Sequence, residues 1–248
     1  VPSPMPYRVF NADEVACYLH LTRADIDVLV KDQAIPFQKR GDRLVFNCQD
    51  IDAWASQRIL GLQDRHLTEY HRQSARGTRE IFPTEAILPE MLQPQFIAPA
   101  LPAKTKASVL REMVALAEST GRVNEPRDLL QSLVEREELC STGLPGGLAL
   151  LHPRHHEPFM FEASFITLGR TLQQIPFGSP DGQATDLFFL ICCQDDRIHL
   201  HTLARICLMA QSSDVLPKLR HAADATTMFE CIVAIEREVL QGKLKSGS

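Results

Sequence analysis

Short apolar runs alternate with amphipathic stretches through the C-terminal two thirds of the chain. Residues 147–151 and 187–193 are almost wholly apolar, and residues 159–167 alternate apolar with polar side chains. Unbroken apolar runs of this length predict buried strands, 187–193 being the central one, and the alternation predicts a half-buried strand. Apolar positions at helical spacing predict helices over 108–121, 126–138, 198–210 and 227–240. Ser108 and Thr227 are expected to cap the first and last of these helices. The order predicts the α/β class, with a mixed sheet flanked by helices.

The first sixty residues follow a different pattern of short helices and a hairpin. Asn11 and Thr22 each begin a capping box, in which an acidic residue follows three positions later, and each predicts a helix start. Residues 37–46 place a polar turn around Gly41 between apolar ends, which predicts a hairpin. Asn47 is expected to cap a third helix.

This order of elements carries residues that match a known DNA-binding module. They are Asp13-Glu14-Val15-Ala16, Tyr18-Leu19, Ile35-Pro36, Gly41-x-Arg43 and Asp50-Ile51-Asp52-Ala53-Trp54. Over residues 8–60 they resemble the small winged helix-turn-helix domains of the excisionase and MerR-like type. We therefore expect a small N-terminal winged helix-turn-helix domain.

The resemblance implies that DNA meets cations on the second helix and on the wing. The candidates are Arg23, Lys31, Lys39, Arg40 and Arg43. The carboxylates of Asp25 and Asp27 lie on the same helix and oppose contact with phosphates, which supply most of the affinity for DNA. Two interpretations therefore stay open, namely DNA binding and a domain kept for dimerisation or protein contact.

Residues 63–83 are polar and predict a linker after the first domain of residues 1–62. Up to about Ser74 these residues can extend the third helix and can supply a homodimer contact, and Gly77 is expected to break the helix. His66 and His71 are five residues apart, which is not the i, i+4 spacing of a helical metal pair.

Composition excludes several classes of protein. The formal net charge is −5, and no segment has the strong positive balance of a typical nucleic-acid binder. The seven cysteines are scattered without a C-x-x-C pattern, which favours reduced thiols in a cytoplasm over disulfides or structural zinc. No apolar stretch approaches a membrane span, and the N-terminus shows no signal-peptide pattern. A cytoplasmic protein without membrane contact, metal or cofactor is expected.

His152 directly follows the predicted strand of residues 147–151. At such a position the sheet fixes the imidazole, and we expect it to remain accessible from outside, as a nucleophile requires. Metal binding with His155 and His156 is the competing interpretation, and a solvated turn is favoured for those two residues.

Several motifs surround this strand in a fixed order. They are Leu133-Val134-Glu135-Arg136-Glu137, Ser141-Thr142-Gly143, Gly147-x-Ala149-x-x-His152, Asp181-Gly182, Leu187-Phe188-Phe189-Leu190 and His199-Leu200-x-x-Leu203-Ala204. Over residues 84–242 they resemble the enzyme IIA domain of the fructose/mannitol class of the bacterial phosphoenolpyruvate:sugar phosphotransferase system, including its nitrogen-regulatory branch. Leu151 departs from the pattern, since the family usually has proline before its active histidine.

The resemblance implies a phosphohistidine intermediate on His152, formed by an HPr-like phosphocarrier protein. It implies that Arg136 and His199 support the phosphoryl group, with Ser141 and Thr142 as candidates for orienting it. The chain is then a cytoplasmic regulator that couples its phosphorylation state to DNA or protein binding. The alternatives are a plain phosphocarrier for a sugar permease component and a catalytically silent interaction protein.

Overall fold

The computed structural model describes residues 9–78, 82, 84–154 and 159–242. Its first elements are β1 (Val9–Phe10), α1 (Ala12–Tyr18), α2 (Arg23–Lys31), β2 (Gln38–Arg40), β3 (Arg43–Asn47) and α3 (Cys48–Gly61). Strand β3 lies between β1 and β2 in an antiparallel sheet. We call residues 9–61 the N-terminal unit.

Side-chain caps fix where the helices of the N-terminal unit begin. The Asn11 side chain accepts hydrogen bonds from the amides of Asp13 and Glu14, and the Glu14 carboxylate accepts one from the Asn11 amide. Thr22 forms the same reciprocal box with Asp25. Asn47 caps α3. All three caps predicted from the sequence are confirmed, because each depends only on residues within four positions of one another.

The segment predicted to be a linker contains a further helix, α4 (Asp64–Thr78). The expected extension of α3 is wrong, because Leu62 and Gln63 between the two helices are not helical. Helix α4 continues through Gly77, so the expected break there is wrong. Glycine lowers helix stability by only about 1 kcal/mol relative to alanine, so a single glycine near the end of a helix need not terminate it.

The remaining elements form the larger C-terminal part. They are α5 (Leu88–Met91), β4 (Ile97–Leu101), α6 (Lys106–Ser119), α7 (Pro126–Leu139), β5 (Gly143–Leu144), β6 (Leu148–Leu151), β7 (Phe165–Ile175), β8 (Thr185–Cys192), α8 (Asp196–Ser212), α9 (Val215–His221) and α10 (Ala225–Leu240). A short 3-10 turn, Pro94–Phe96, precedes β4.

The five strands β4 to β8 form one mixed sheet in the order β4-β7-β8-β6-β5. β4 pairs parallel with β7 and β6 pairs parallel with β8, whereas the β7–β8 and β5–β6 pairs are antiparallel. Strand β8 is central, and its side chains from Leu187 to Cys192 are buried. The predicted α/β class, with a mixed sheet flanked by helices, is confirmed.

Three local predictions in this part are wrong. The strand expected over 159–167 begins only at Phe165, because the preceding backbone bonds to another loop: Asn124 N–H donates to Met160 O, and Glu162 N–H donates to Arg122 O. The caps expected at Ser108 and Thr227 lie three residues earlier, at Thr105 and Asp224. The backbone amides of Ser108 and Thr227 instead donate hydrogen bonds to the side chains of these caps, so both residues belong to the first turn of their helix.

Helix α3 of the N-terminal unit and the following helix α4 pack against α8 of the C-terminal part. Helix α8 follows the central strand β8 and begins beside the end of β6. The first turn of α8 therefore lies between the sheet and the N-terminal unit. None of the helices among the described residues combines the length and the hydrophobicity that a membrane-spanning helix needs.

Candidate functional site

Three side chains from three different elements meet at the end of β6. His152 follows that strand, Arg136 lies in the last turn of α7, and His199 lies near the start of α8. Arg136 Nε donates a hydrogen bond to His152 Nε2 at 3.0 Å. The rings of His152 and His199 are 4.9 Å apart between centroids. The structure thus brings together the three residues that the sequence analysis placed in one site.

The hydrogen bonds of His152 define which ring nitrogen is nucleophilic. His152 Nδ1 lies 2.9 Å from the carbonyl oxygen of Leu150. A carbonyl only accepts, so Nδ1 carries the proton and Nε2 has the lone pair. This agrees with the bond from Arg136 Nε, which requires an acceptor at Nε2. A neutral imidazole in this tautomer presents Nε2 as its nucleophile.

Arg136 is a buried guanidinium with capacity left for an anion. Only 3% of the residue is exposed. Its Nε binds His152, and its Nη1 donates to Cys140 O at 3.0 Å. Its Nη2 is buried and has no hydrogen-bond partner among the described residues. Buried polar groups are nearly always paired, and a guanidinium matches the oxygens of phosphate, so this vacant donor beside a nucleophile suits a phosphoryl group.

Leu151, at the position where the resemblance would place a proline, is buried in the sheet. It is the last residue of β6 and pairs with Leu190 of β8. The leucine keeps the parallel pairing intact up to the residue before His152. His152 therefore comes directly after the C-terminal end of an unbroken strand β6.

The expectation that His152 is accessible from outside is wrong. His152 is 2% exposed and His199 is 1% exposed. Part of the cover comes from helix α3, where Ser56 Oγ lies 3.3 Å from His199 Nε2. This contact joins residues 143 positions apart, so no local pattern in either segment indicates it.

The two hydroxyl groups proposed to orient phosphate are engaged within the loop before β5. Ser141 Oγ donates to the carbonyl of Phe177 at 2.6 Å, and Thr142 Oγ1 donates to the Glu137 carboxylate at 2.6 Å. Glu137 also pairs with Lys106 at 2.9 Å. These bonds fix the loop against the end of α7, next to Arg136.

A buried polar cluster between α4 and α8 was missed by the sequence analysis. Arg205 donates through Nε to His71 Nε2 at 2.6 Å and through Nη1 to Glu236 at 2.6 Å. Ser74 Oγ and His201 Nδ1 lie 2.7 Å apart in the same cluster. Burial, followed by the charge of Arg205, lowers the pKa of His71 to about 3, so His71 stays neutral and can accept.

A sequence signal for this cluster existed in the segment predicted to be a linker. Leu67, His71 and Ser74 recur at helical spacing and are buried on one face of α4. Two of the three are polar, so hydrophobic periodicity alone does not reveal the face.

The cations proposed to meet DNA have different surroundings. Arg23 pairs with Asp13 and Asp27, each at 3.0 Å, and Asp25 accepts the cap bond from Thr22. Lys31 is exposed. On the hairpin Lys39, Arg40 and Arg43 are exposed, with Arg40 directly opposite Arg43.

One group of possible metal ligands occurs in the described part of the chain. Cys48 and Asp52 of α3 and Asp196 of α8 offer ligand atoms within 4.8 Å of one another. Asp52 also accepts a hydrogen bond from the Tyr18 hydroxyl. His155 and His156, considered above as ligands with His152, lie outside the described residues.

Comparison with known proteins identifies the part of the chain that carries this site. Residues 90–234 match the family model for the phosphoenolpyruvate-dependent sugar phosphotransferase system, EIIA 2. A nitrogen regulatory protein of Bradyrhizobium diazoefficiens is 34% identical over 146 residues, which are 58% of this chain and 92% of that protein. The fructose-specific EIIABC component of Bacillus subtilis is 25% identical over 145 residues, 58% of this chain but only 22% of that protein.

Solved structures show the same fold over this region. The nitrogen regulatory protein IIA-Ntr of Neisseria meningitidis matches with a TM-score of 0.52 and 23% identity, over 58% of this chain and 97% of that one. The Escherichia coli IIA mannitol crystal structure matches with a TM-score of 0.51 and 19% identity, over 57% of this chain and 98% of that one. By its match to the family model and its identity to the Bradyrhizobium protein, the chain belongs to the EIIA 2 family of the phosphoenolpyruvate-dependent sugar phosphotransferase system.

Proposed function

We propose that the chain is a cytoplasmic phosphoryl-accepting regulator in which His152 takes a phosphoryl group from an HPr-like carrier. The observation that carries this proposal is the vacant Nη2 of buried Arg136 beside the lone pair of His152 Nε2. A nucleophile and an unpaired cationic donor at one point are what phosphoryl transfer requires, since it depends on positioning and charge stabilisation.

The transfer step follows from this geometry. His152 Nε2 attacks the phosphorus of a phosphohistidine on the carrier, and the bond from phosphorus to the carrier nitrogen breaks, leaving its electron pair there. Arg136 Nε then releases His152 Nε2, and the guanidinium donates to the phosphoryl oxygens. His199, in the first turn of α8, adds a donor where the helix dipole favours an anion. The Nδ1–H bond to Leu150 O holds the ring throughout and stabilises the positive charge that forms on it.

A regulatory role is favoured over plain transport because the acceptor domain is attached to an additional folded unit. The similar Bradyrhizobium protein is named as a nitrogen regulatory protein. The competing role is transfer to a permease component, as suggested by the fructose-specific EIIABC relative and by the solved complex of Escherichia coli enzyme IIA mannitol with phosphorylated enzyme IIB. A silent interaction protein is the third possibility, and the labelling experiment below tests it.

Full-length chain incubated with phosphoenolpyruvate, enzyme I and an HPr-like carrier is expected to gain one acid-labile label. Peptide mapping should place it on His152, and isomer-specific detection should identify the Nε2 phosphohistidine, because Nδ1 is held by Leu150. A characterised enzyme IIA labelled in the same tube controls for active donors. Absence of label with cognate carriers, or label on another residue, contradicts the proposal.

We further propose that the N-terminal unit is a winged helix-turn-helix that binds DNA mainly through its hairpin. The favouring observation is the exposed group of Lys39, Arg40 and Arg43. Helix α2 contributes less, since Arg23 is neutralised by two carboxylates.

Replacing Arg40 and Arg43 together by alanine should weaken binding of an arbitrary duplex by about tenfold at low salt. It should also reduce the slope of log affinity against log salt by about 2, one for each lost phosphate contact. Arg111→Ala, an exposed change on α6, serves as the matched control. Binding that is equal in all three chains, or absent in the wild type, would favour the protein-contact interpretation.

A further inference from the structure

The burial of His152 conflicts with the proposed transfer unless part of the structure moves. A phosphohistidine on a separate protein has to bring its phosphorus within bonding distance of Nε2. That approach needs an open path, and a residue that is 2% exposed offers none. The element that opens must therefore lie against the site.

Among the described residues, helix α3 is one element that lies against His199. Cys48, Asp52 and Ser56 are spaced i, i+4 and i+8, so they share one side of α3. Ser56 contacts His199, and one turn earlier the carboxylates of Asp52 and Asp196 approach each other across the same interface. Opening this interface has to break the Ser56–His199 hydrogen bond, which is worth about 1 kcal/mol, and it separates the two carboxylates.

Helix α4, in contrast, is firmly attached to α8. The Arg205 guanidinium, buried between them, binds His71 on α4 and Glu236 on α10. The end of α3 is anchored to α8 at one point, since the Gln211 amide donates to Leu62 O at 2.9 Å, and a movement of α3 would pivot about that point. Leu62 and Gln63 are the non-helical residues between the two helices, and they are placed where a hinge would be needed.

We propose that α3, moving with the N-terminal unit, is a gate over the phosphoryl-acceptor site, held closed by Ser56 on His199. This inference rests on the proposed function of His152. In the tautomer that donates to a phosphoryl oxygen, His199 Nε2–H donates to the Ser56 hydroxyl oxygen. Ser56 thus occupies the position of an anionic oxygen, and closure of the gate excludes the phosphoryl group. The phosphoryl-transfer state and the position of the N-terminal unit are thereby coupled.

The test compares full-length Ser56→Leu, Ser56→Ala and Gln57→Leu chains with the wild type. Leucine at position 56 removes the hydrogen bond and overfills the interface, whereas alanine removes only the bond. Gln57 is the exposed neighbour on α3, so Gln57→Leu adds the same side chain without touching α8. Circular dichroism melting confirms that each chain is folded. If Ser56→Leu does not fold, the comparison of Ser56→Ala with the wild type still tests the proposal.

Two readouts are taken on each chain. The first is the rate at which diethyl pyrocarbonate modifies His152 and His199, which measures access without any phosphoryl donor. The second is the initial rate of labelling from the HPr-like carrier. If only the open state reacts, each rate is proportional to the fraction of molecules in which the gate is open. Both rates should rise about fivefold in Ser56→Ala, as expected for one lost hydrogen bond. They should rise tenfold or more in Ser56→Leu and stay unchanged in Gln57→Leu.

The outcomes separate the two proposals. Fast modification of the wild type, or modification unchanged by both Ser56 substitutions, overturns the gate whatever the labelling shows. Faster modification with unchanged labelling also overturns it, because opening then does not limit transfer. Faster modification without label on any chain, while a control enzyme IIA is labelled, overturns the acceptor function and with it a gate for phosphoryl transfer.

Discussion

A chain carrying His152→Ala is expected to accept no phosphoryl group, and one carrying Arg136→Met to accept it about 10²–10³-fold more slowly. The first change removes the nucleophile. The second removes a buried cation whose Nε aligns His152 Nε2 and whose vacant Nη2 is available to the phosphoryl oxygens. The measurement is the initial rate of labelling from the HPr-like carrier, at carrier concentrations below saturation.

Two further arginine changes make this prediction specific to the geometry. Arg127→Met alters an exposed residue of the same helix and should leave the rate unchanged. Arg136→Lys keeps the charge but donates from a single nitrogen, which cannot span His152 Nε2 and Cys140 O as Nε and Nη1 of the rigid guanidinium do, so most of the loss should remain. Labelling of Arg136→Met at the wild-type rate would remove Arg136 from the mechanism.

Local sequence patterns were sufficient for much of this architecture. The caps at Asn11, Thr22 and Asn47 each involve neighbouring residues, and the apolar run of β8 needs no partner to be recognised. The position of His152 after β6 follows from the same reasoning. Where local patterns offered two registers, as for the caps of α6 and α10, they misplaced the cap by one turn.

The cover over the site could not be predicted in the same way. Ser56 and His199 belong to segments that each form a reasonable helix alone, and only their packing makes Ser56 significant. The same holds for His71, which appears as a surface residue in a polar stretch until Arg205 is placed beside it. Contacts between residues so distant in the chain depend on how the two parts dock, which periodicity within either part does not record.

Burial of the Arg205–Glu236 pair predicts a large effect on stability. Glu236→Ala is expected to lower the free energy of unfolding by about 3–5 kcal/mol, because it leaves a buried guanidinium without its counter-charge. The pair is fully enclosed, with side chains 1% and 0% exposed. Glu236 also accepts the amides of Ile87 and Leu88, which lose their partner. Urea unfolding, followed by circular dichroism, measures the change.

Glu238→Ala, an exposed change on the same helix, is the matched control and should have little effect. The Arg205→Met, Glu236→Leu double variant should lose less than the sum of Arg205→Met and Glu236→Leu measured alone. Burial raises the pKa of the Glu236 carboxyl and lowers the pKa of the Arg205 guanidinium, so each charge alone is disfavoured in the interior. Removing both charges therefore abolishes the desolvation cost that either single change leaves behind. Additive losses would show that the two charges do not depend on each other for their stability in the core.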